Sequence, residues 1–185
     1  MPDRRDVAVL VGSLRKASLT RKTALALARL APDDLALSIV EIAGLPLYDQ
    51  DREGDPAWAA FRARVVVADA VLFVTPEYNR SVPGVLKNAI DVGSRPYGKS
   101  VWSGKPAAVV SVSPGAIGGF GANHHLRQSL AYLNMPTMQQ PEAYVGQADK
   151  LFSETDEIES ESVRSFLREV MAAFGRWIER HRAPA

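Results

Sequence analysis

The sequence contains no cysteine among its 185 residues. This absence excludes disulfides, zinc or iron–sulfur sites built on thiolates, and thiol nucleophiles. An excess of charge of one sign is also lacking, because 22 basic and 21 acidic side chains leave a formal net charge of only +1. Such a chain has no overall field with which to hold nucleic acid or an anionic membrane. Any basic site must therefore be local.

Long apolar runs are absent too. No segment approaches the ~20 apolar residues that span a bilayer, and the polar first six residues do not lead into a signal-type segment. We therefore expect a soluble, cytoplasmic protein without a membrane partner. The composition, 46% hydrophobic and 23% charged, is that of an ordinary globular protein. With no repeat or linker in view, the length predicts a single domain over residues 1–185.

Short apolar segments alternate with helical patterns along the chain. Strands are predicted at residues 7–11, 35–42, 70–74, 107–112 and 138–145. Helices are predicted at residues 20–30, 57–68, 84–92, 123–133 and 160–179. The strand at 70–74 is apolar throughout, which indicates burial on both faces, as in a parallel sheet. We predict an α/β fold: a flavodoxin-like, doubly wound sandwich with a five-stranded parallel sheet in the order 2-1-3-4-5.

The loop after the first predicted strand, residues 12–20, carries hydroxyls and cations beside a predicted helix start. It contains three hydroxyls, Ser13, Ser18 and Thr20, and two cations, Arg15 and Lys16. Hydroxyls and free amides at a helix N-terminus, next to a positive charge, form a phosphate site without a metal. The alternative is a capped helix, with Ser18 or Thr20 as the N-cap and the cations solvated. Neither a P-loop ending nor a Gly-x-Gly-x-x-Gly pattern is present, so a nucleotide triphosphatase is not expected.

The loop after the third predicted strand, residues 75–84, concentrates several kinds of polar and aromatic side chain. Two prolines restrict its shape. Its candidate binding residues are Pro76, Glu77, Tyr78, Asn79 and Arg80. Such a loop can offer peptide groups to the polar edge of a flat ring, because it lies at the end of a buried strand. The alternative is a rigid turn whose side chains are merely solvated.

The loop after the fourth predicted strand, residues 113–121, is rich in glycine, so a ligand can approach its backbone closely. A flexible loop without a ligand is the alternative. A nucleophile elbow is not expected, since Ser111 stands where that motif needs glycine. His124 and His125 are adjacent in a predicted helix and point to different faces, so we expect no metal site.

Together the three loops, extended by residues 84–91 and 125–128, resemble the NAD(P)H-dependent FMN reductase family, in particular its chromate and quinone reductases. The likeness covers most of the chain from Val7 to Gly146. The sequence Pro-Glu-Tyr-Asn at residues 76–79 is highly specific in this context. Thr20 and Gly93 depart from the family pattern, which usually has Asn at the first position and a residue such as Trp or Ala at the second.

The resemblance implies non-covalently bound FMN, NAD(P)H as co-substrate and ping-pong electron transfer to quinones or other small acceptors such as chromate. It implies that the FMN phosphate is held by Ser13, Arg15, Ser18 and Thr20. It further implies that the flavin ring is bordered by Pro76, Glu77, Tyr78, Asn79, Arg80, Ser113 and Gly115. No catalytic side chain is required, because the flavin carries the hydride.

The resemblance also implies a homodimer or homotetramer, with Arg127 and Glu142 where family members form polar subunit contacts. A flavodoxin-type electron carrier without its own NAD(P)H site is the main alternative function, and a flavin-free scaffold is a further one. Tyr48, Trp58 and Trp102 lie beside loops. They either cover the site or pack in the core, and the sequence does not distinguish these possibilities.

Overall fold

The computed structural model describes residues 4–181, and the strands within them form one parallel sheet. The strands are β1 (Arg5–Val11), β2 (Leu35–Ile39), β3 (Ala70–Pro76), β4 (Ala107–Val112) and β5 (Ala143–Val145). Their spatial order is β2-β1-β3-β4-β5, and each neighbouring pair is parallel. The predicted flavodoxin-like topology is therefore confirmed.

Helices cover both faces of the sheet. They are α1 (Leu19–Leu30), α2 (Pro56–Val66), α3 (Gly84–Gly93), α4 (Phe120–Tyr132) and α5 (Glu161–His181). Helices α1 and α5 pack on one face, and α2, α3 and α4 pack on the other. Alternate residues of β1 enter the two cores, with Val9 on the α1 side and Leu10 on the α2 side. Within residues 4–181, no helix has the length and apolar character needed to cross a membrane.

Two strands, β2 and β5, are shorter than predicted. Strand β2 ends at Ile39, although Val40 still donates a backbone hydrogen bond to Val9 at 2.9 Å. Val40 and Ile42 are apolar because they pack into the core beneath α2, which extended the apparent strand. Strand β5 is reduced to three residues because the chain leaves the sheet after Met138, at a segment that includes Pro141 with no N–H to donate.

The two tryptophans whose position the sequence left open both pack in the core. Trp58 and Trp102 are fully buried, and each indole N–H donates to a backbone carbonyl, of Pro46 at 3.0 Å and of Ile90 at 2.9 Å. The Tyr48 ring lies against Trp58, with 5.5 Å between centroids. These aromatic side chains stabilise the α2 and α3 face of the sheet.

Candidate active site

The three loops singled out by the sequence follow β1, β3 and β4, whose carboxyl ends lie side by side. The Gly12 amide donates to the Val74 carbonyl at 2.9 Å, which ties the first loop to the second. A β-carbon added to Gly12 would lie 3.1 Å from Pro76 Cδ and 3.1 Å from Thr75 Oγ1, so glycine permits this close approach. The two loops meet at the point where strand order reverses, the usual ligand position in such sheets.

The first loop presents hydroxyls at the start of α1. Ser18 is the N-cap, and its Oγ accepts a hydrogen bond from the Arg21 N–H at 3.1 Å, which leaves its hydroxyl proton free to donate. Ser13 and Thr20 are also buried, and the Thr20 hydroxyl has no hydrogen-bond partner among residues 4–181. Arg15 is exposed and forms no ion pair with any described residue. This arrangement of hydroxyls, a cation and a helix N-terminus suits a phosphate.

The second loop forms a tight hairpin turn. Tyr78 and Ser81 exchange two backbone hydrogen bonds of 3.1 and 3.0 Å. Asn79 and Arg80 between them have φ values of 50° and 63°, the left-handed pair of a type I′ turn. Arginine is unusual in this conformation, so the turn must be held by its surroundings.

The carboxylate of Glu77 provides part of that support. Its Oε1 accepts from Arg80 Nη1 at 2.7 Å, and its Oε2 accepts from the backbone N–H of Ala122 at 3.0 Å. Ala122 lies in the first turn of α4, 45 residues further along the chain. Sequence reasoning did not identify Ala122, because a backbone amide leaves no signal in the sequence.

The third loop is shaped by glycines with positive φ. At Gly118, with φ of 65°, an added β-carbon would lie 2.6 Å from the Tyr144 carbonyl carbon. Ser113 Oγ accepts from the Gly115 N–H at 3.0 Å, and the Ser113 N–H donates to Val145 at 2.9 Å. These contacts hold the loop close against β5, which accounts for its glycine content.

A cavity of about 380 Å³ lies between the second and third loops, and its lining includes Glu77, Asn79, Arg80, Ser113 and Gly115. A second cavity of about 380 Å³, lined in part by Gly12, Arg15, Tyr78 and Gly84, lies between the first and second loops. Seven of the candidate residues thus line two cavities beside the hairpin. Ser13, Ser18, Thr20 and Pro76 belong to the same loops but line neither cavity.

The histidines occupy separate environments. His124 Nε2 lies 3.0 Å from the Tyr144 hydroxyl, and His125 Nδ1 lies 3.1 Å from Ser81 Oγ in the hairpin. Burial, followed by hydrogen bonding to the Glu142 carboxylate, raises the pKa of Tyr144 to about 12. In residues 4–181 there is no group of three histidine or carboxylate side chains placed to hold a metal ion.

A larger cavity of about 690 Å³ lies between α3 and α4, and sequence reasoning did not identify it. Tyr97 and Tyr132 line it and are 90% and 89% exposed.

Arg127, which was expected at a subunit contact, donates hydrogen bonds within the chain. Its acceptors are Asn123 Oδ1 and the Met138 carbonyl, both at 2.8 Å.

Residues 5–150 match the family of NADPH-dependent FMN reductases, which covers the sheet and all three loops. The chain belongs to this family. It is 61% identical over 180 residues to a quinone reductase of Pseudomonas putida, with 96% of each chain covered. It is 48% identical to a 2-hydroxy-1,4-benzoquinone reductase of a Burkholderia species, covering 95% of this chain and 97% of that one.

A solved structure shares the fold closely. The flavoenzyme NAD(P)H:(acceptor) oxidoreductase FerB of Paracoccus denitrificans superposes with a TM-score of 0.91 at 41% identity, covering 97% of this chain and all of that one. Family membership confirms the resemblance seen in the sequence, and with it the class of enzyme, an NAD(P)H-dependent oxidoreductase with FMN as cofactor. The chain's own residues fit FMN, because a phosphate-type helix start and cavities bordered by peptide groups adjoin the same hairpin.

Proposed function

We propose that this enzyme carries electrons from NAD(P)H to quinones in a ping-pong sequence. The observation that carries the proposal is the convergence of the Asn79–Arg80 turn, the glycine-rich third loop and the start of α1 on one edge of the sheet. The quinone reductase names of relatives 61% and 48% identical to the chain support the choice of acceptor.

In this proposal the first loop anchors the FMN phosphate. Ser13, Ser18 and Thr20 donate hydroxyl hydrogen bonds, and the guanidinium of Arg15 supplies the charge. Each charge-assisted hydrogen bond contributes about 1.5–3 kcal/mol. The N-terminus of α1 adds the positive end of the helix dipole, which favours the phosphate. No acidic residue in its first turn offsets this effect.

The second and third loops border the flavin ring. The chemistry that bound FMN supplies is hydride acceptance from NAD(P)H and two-electron transfer to an acceptor. Pro76, Glu77, Tyr78, Asn79 and Arg80 form one border, and Ser113 and Gly115 form the other. The Arg80 guanidinium is 75% exposed at the cavity, where a cation favours negative charge on the ring.

The order of substrates follows from the use of one flavin face. In this proposal the cavities beside the hairpin, each about 380 Å³, are taken up by the cofactor, so NAD(P)H and the acceptor meet the same open face of the ring in turn. NAD(P)⁺ then leaves before the acceptor enters. Overall, NAD(P)H, a proton and a quinone yield NAD(P)⁺ and a quinol. Chromate is a further acceptor in this proposal, because a site without a specific acceptor group exerts little selection.

The proposal also covers the oligomeric state of the enzyme and its location in the cell. We expect a homodimer or homotetramer in the cytoplasm, with Arg127 and Glu142 near a subunit contact. The two exposed tyrosines between α3 and α4, Tyr97 and Tyr132, support an additional interface. Light scattering of the purified protein measures the mass directly, and a mass near the 20.1 kDa of one chain would contradict this part.

The test of the activity is anaerobic spectroscopy of the purified, FMN-loaded protein. We expect the flavin absorbance to bleach when NADPH is added and to return when a quinone follows. Stopped-flow rates of the two half-reactions must each be at least as fast as steady-state turnover. Initial-rate lines at several quinone concentrations should be parallel.

The same experiment separates the alternatives. A flavin that NADPH and NADH both fail to bleach would identify an electron carrier that needs a separate reductase. A protein that neither contains nor takes up FMN would contradict the assignment of the three loops. Intersecting initial-rate lines would leave the activity in place but exclude the ping-pong order.

A further inference from the structure

We propose that Glu77 is a positioning residue: its carboxylate fastens the Tyr78–Ser81 hairpin to α4 and balances the charge of Arg80. The family resemblance implied only that Glu77 borders the flavin ring and gave it no further role. This inference rests on the proposed function, because the hairpin that Glu77 positions is the one assigned to the flavin.

The contacts of Glu77 are directed into the protein. Its side chain is only 11% exposed, and both of its oxygens have protein donors, Arg80 Nη1 at 2.7 Å and the Ala122 N–H at 3.0 Å. The first amides of a helix lack partners within the helix, so a carboxylate there is favourable both as acceptor and as negative charge. A buried carboxylate in turn requires such partners. The contact therefore satisfies both groups.

The packing around this contact leaves little free space. A β-carbon added to Gly121 would lie 2.9 Å from both the Arg80 carbonyl oxygen and Glu77 Oε2. One turn further along α4, His125 Nδ1 lies 3.1 Å from Ser81 Oγ. The first turns of α4 thus approach the hairpin at Gly121, Ala122 and His125, and Glu77 is the charged side chain that lies at the first two of these places.

The hairpin needs this support. Asn79 and Arg80 have positive φ, a conformation that is costly for residues other than glycine and persists only where neighbours enforce it. Both residues line the cavity assigned to the ring. If the contact between Glu77 and Ala122 is lost, we expect the turn to relax and its peptide groups to leave the positions that the cofactor requires.

The charge of Glu77 has a second effect. Arg80 is the cation that favours negative charge on the reduced ring, and Glu77 lies 2.7 Å from its guanidinium. The carboxylate offsets part of that positive charge. Removing the negative charge should therefore make the bound flavin easier to reduce, and a purely structural role would not change the potential in this way.

The experiment compares Glu77→Ala, Glu77→Gln and the control Glu161→Ala. Glu161 also pairs with an arginine three residues on, Arg164, at 2.6 Å, but on the exposed surface of α5. Three quantities are measured: the Kd for FMN, the midpoint potential of bound flavin, and amide hydrogen exchange of residues 119–123 in the apoprotein. The exchange measurement reports the contact without any cofactor.

In Glu77→Ala we expect Kd to rise roughly tenfold or more and exchange of the Ala122 amide to accelerate, because a part-buried hydrogen bond to a charged group is lost. Glu77→Gln keeps an oxygen for the Ala122 N–H, so Kd should stay within about threefold of the original. Both variants should raise the midpoint potential. Glu161→Ala should change none of the three quantities.

An FMN affinity in Glu77→Ala equal to that of the unchanged protein would overturn the proposal, as would an unchanged potential in Glu77→Gln. If Glu77→Ala does not fold, the potential and Kd of Glu77→Gln still decide the matter. If the unchanged protein binds no FMN while exchange at Ala122 still depends on Glu77, the proposed function fails and the contact between hairpin and α4 stands.

Discussion

Gly93 and Trp102 are in direct contact: a β-carbon added to Gly93 would lie 2.3 Å from Cζ2 of the Trp102 ring. Gly93 is the last residue of α3, and the buried indole crosses it while donating its N–H to the Ile90 carbonyl. The fold therefore requires glycine at position 93, because the indole fills the space that a side chain there would need.

We therefore expect Gly93→Ala to destabilise the fold by about 1–3 kcal/mol, since the ring is fixed by its hydrogen bond and by Phe61 and Phe73 around it. Thermal denaturation measures the change. Gly44→Ala is the control, because an added β-carbon there meets nothing within 4 Å. In the double variant with Trp102→Phe the loss should be smaller than the sum of the single changes. A Gly93→Ala protein as stable as the original would contradict this packing argument.

Local patterns predicted much of the fold. The run at residues 70–74 identified β3 because burial on both faces of a parallel sheet requires uninterrupted apolar residues. A hydroxyl cap at the start of α1 was predictable, and of the two candidates, Ser18 and Thr20, the structure has Ser18 as the N-cap. The strand ends were less predictable, since Val40 and Ile42 are apolar for reasons of core packing and not of pairing.

The contacts that give the candidate site its shape are of a different kind. Glu77 meets Ala122 across 45 residues, and the Gly12 amide meets the Val74 carbonyl across 62. Neither contact leaves a periodic or local signal, because the partner atoms belong to the backbone. The three loops and their candidate side chains could thus be identified from the sequence, whereas the way in which α4 supports the hairpin could be seen only in the structure.

Arg15 offers a direct test of the phosphate anchor. We expect Arg15→Ala to raise the Kd for FMN by roughly 10- to 150-fold, the equivalent of one lost charged hydrogen bond of about 1.5–3 kcal/mol. The melting temperature of the apoprotein should not change, because Arg15 is exposed and forms no ion pair with any described residue. Arg176→Ala, an exposed arginine of α5, is the matched control. Equal Kd values for the two variants would remove Arg15 from the site.

Tyr144 provides a prediction on pH. Its pKa of about 12 in the folded protein, set first by burial and then by Glu142, lies above the ordinary value of 10.0. Folding therefore favours the protonated phenol. The stability that this contributes is fully present below about pH 10 and is lost as the pH rises through about 12.

The measurement is a phenolate absorbance titration while circular dichroism monitors the fold. A phenolate step near pH 12 should belong to Tyr144. Tyr144→Phe should remove that step. A step near pH 12 that persists in Tyr144→Phe would mean that the half-buried environment of Tyr144 is wrongly described.

Substitutions of Ser18 distinguish its contribution to the stability of α1 from its contribution to cofactor binding. Aspartate is as good an N-cap as serine, so Ser18→Asp should keep the cap on the Arg21 N–H, and Ser18→Gly should cost only a few tenths of a kcal/mol. The Ser18→Gly apoprotein should melt close to the original. The new carboxylate, however, places a negative charge where the proposal puts the phosphate, and the two anions repel.

Fluorescence titration with FMN measures the outcome. We expect Ser18→Gly to bind FMN several-fold more weakly, because one hydroxyl donor is lost. Ser18→Asp should bind more weakly still, and its affinity should improve as salt screens the repulsion. Riboflavin, which lacks the phosphate, should bind the aspartate variant and the original protein alike. If Ser18→Asp weakened riboflavin as much as FMN, the defect would lie in the loop's shape, and the phosphate could not be assigned to the start of α1.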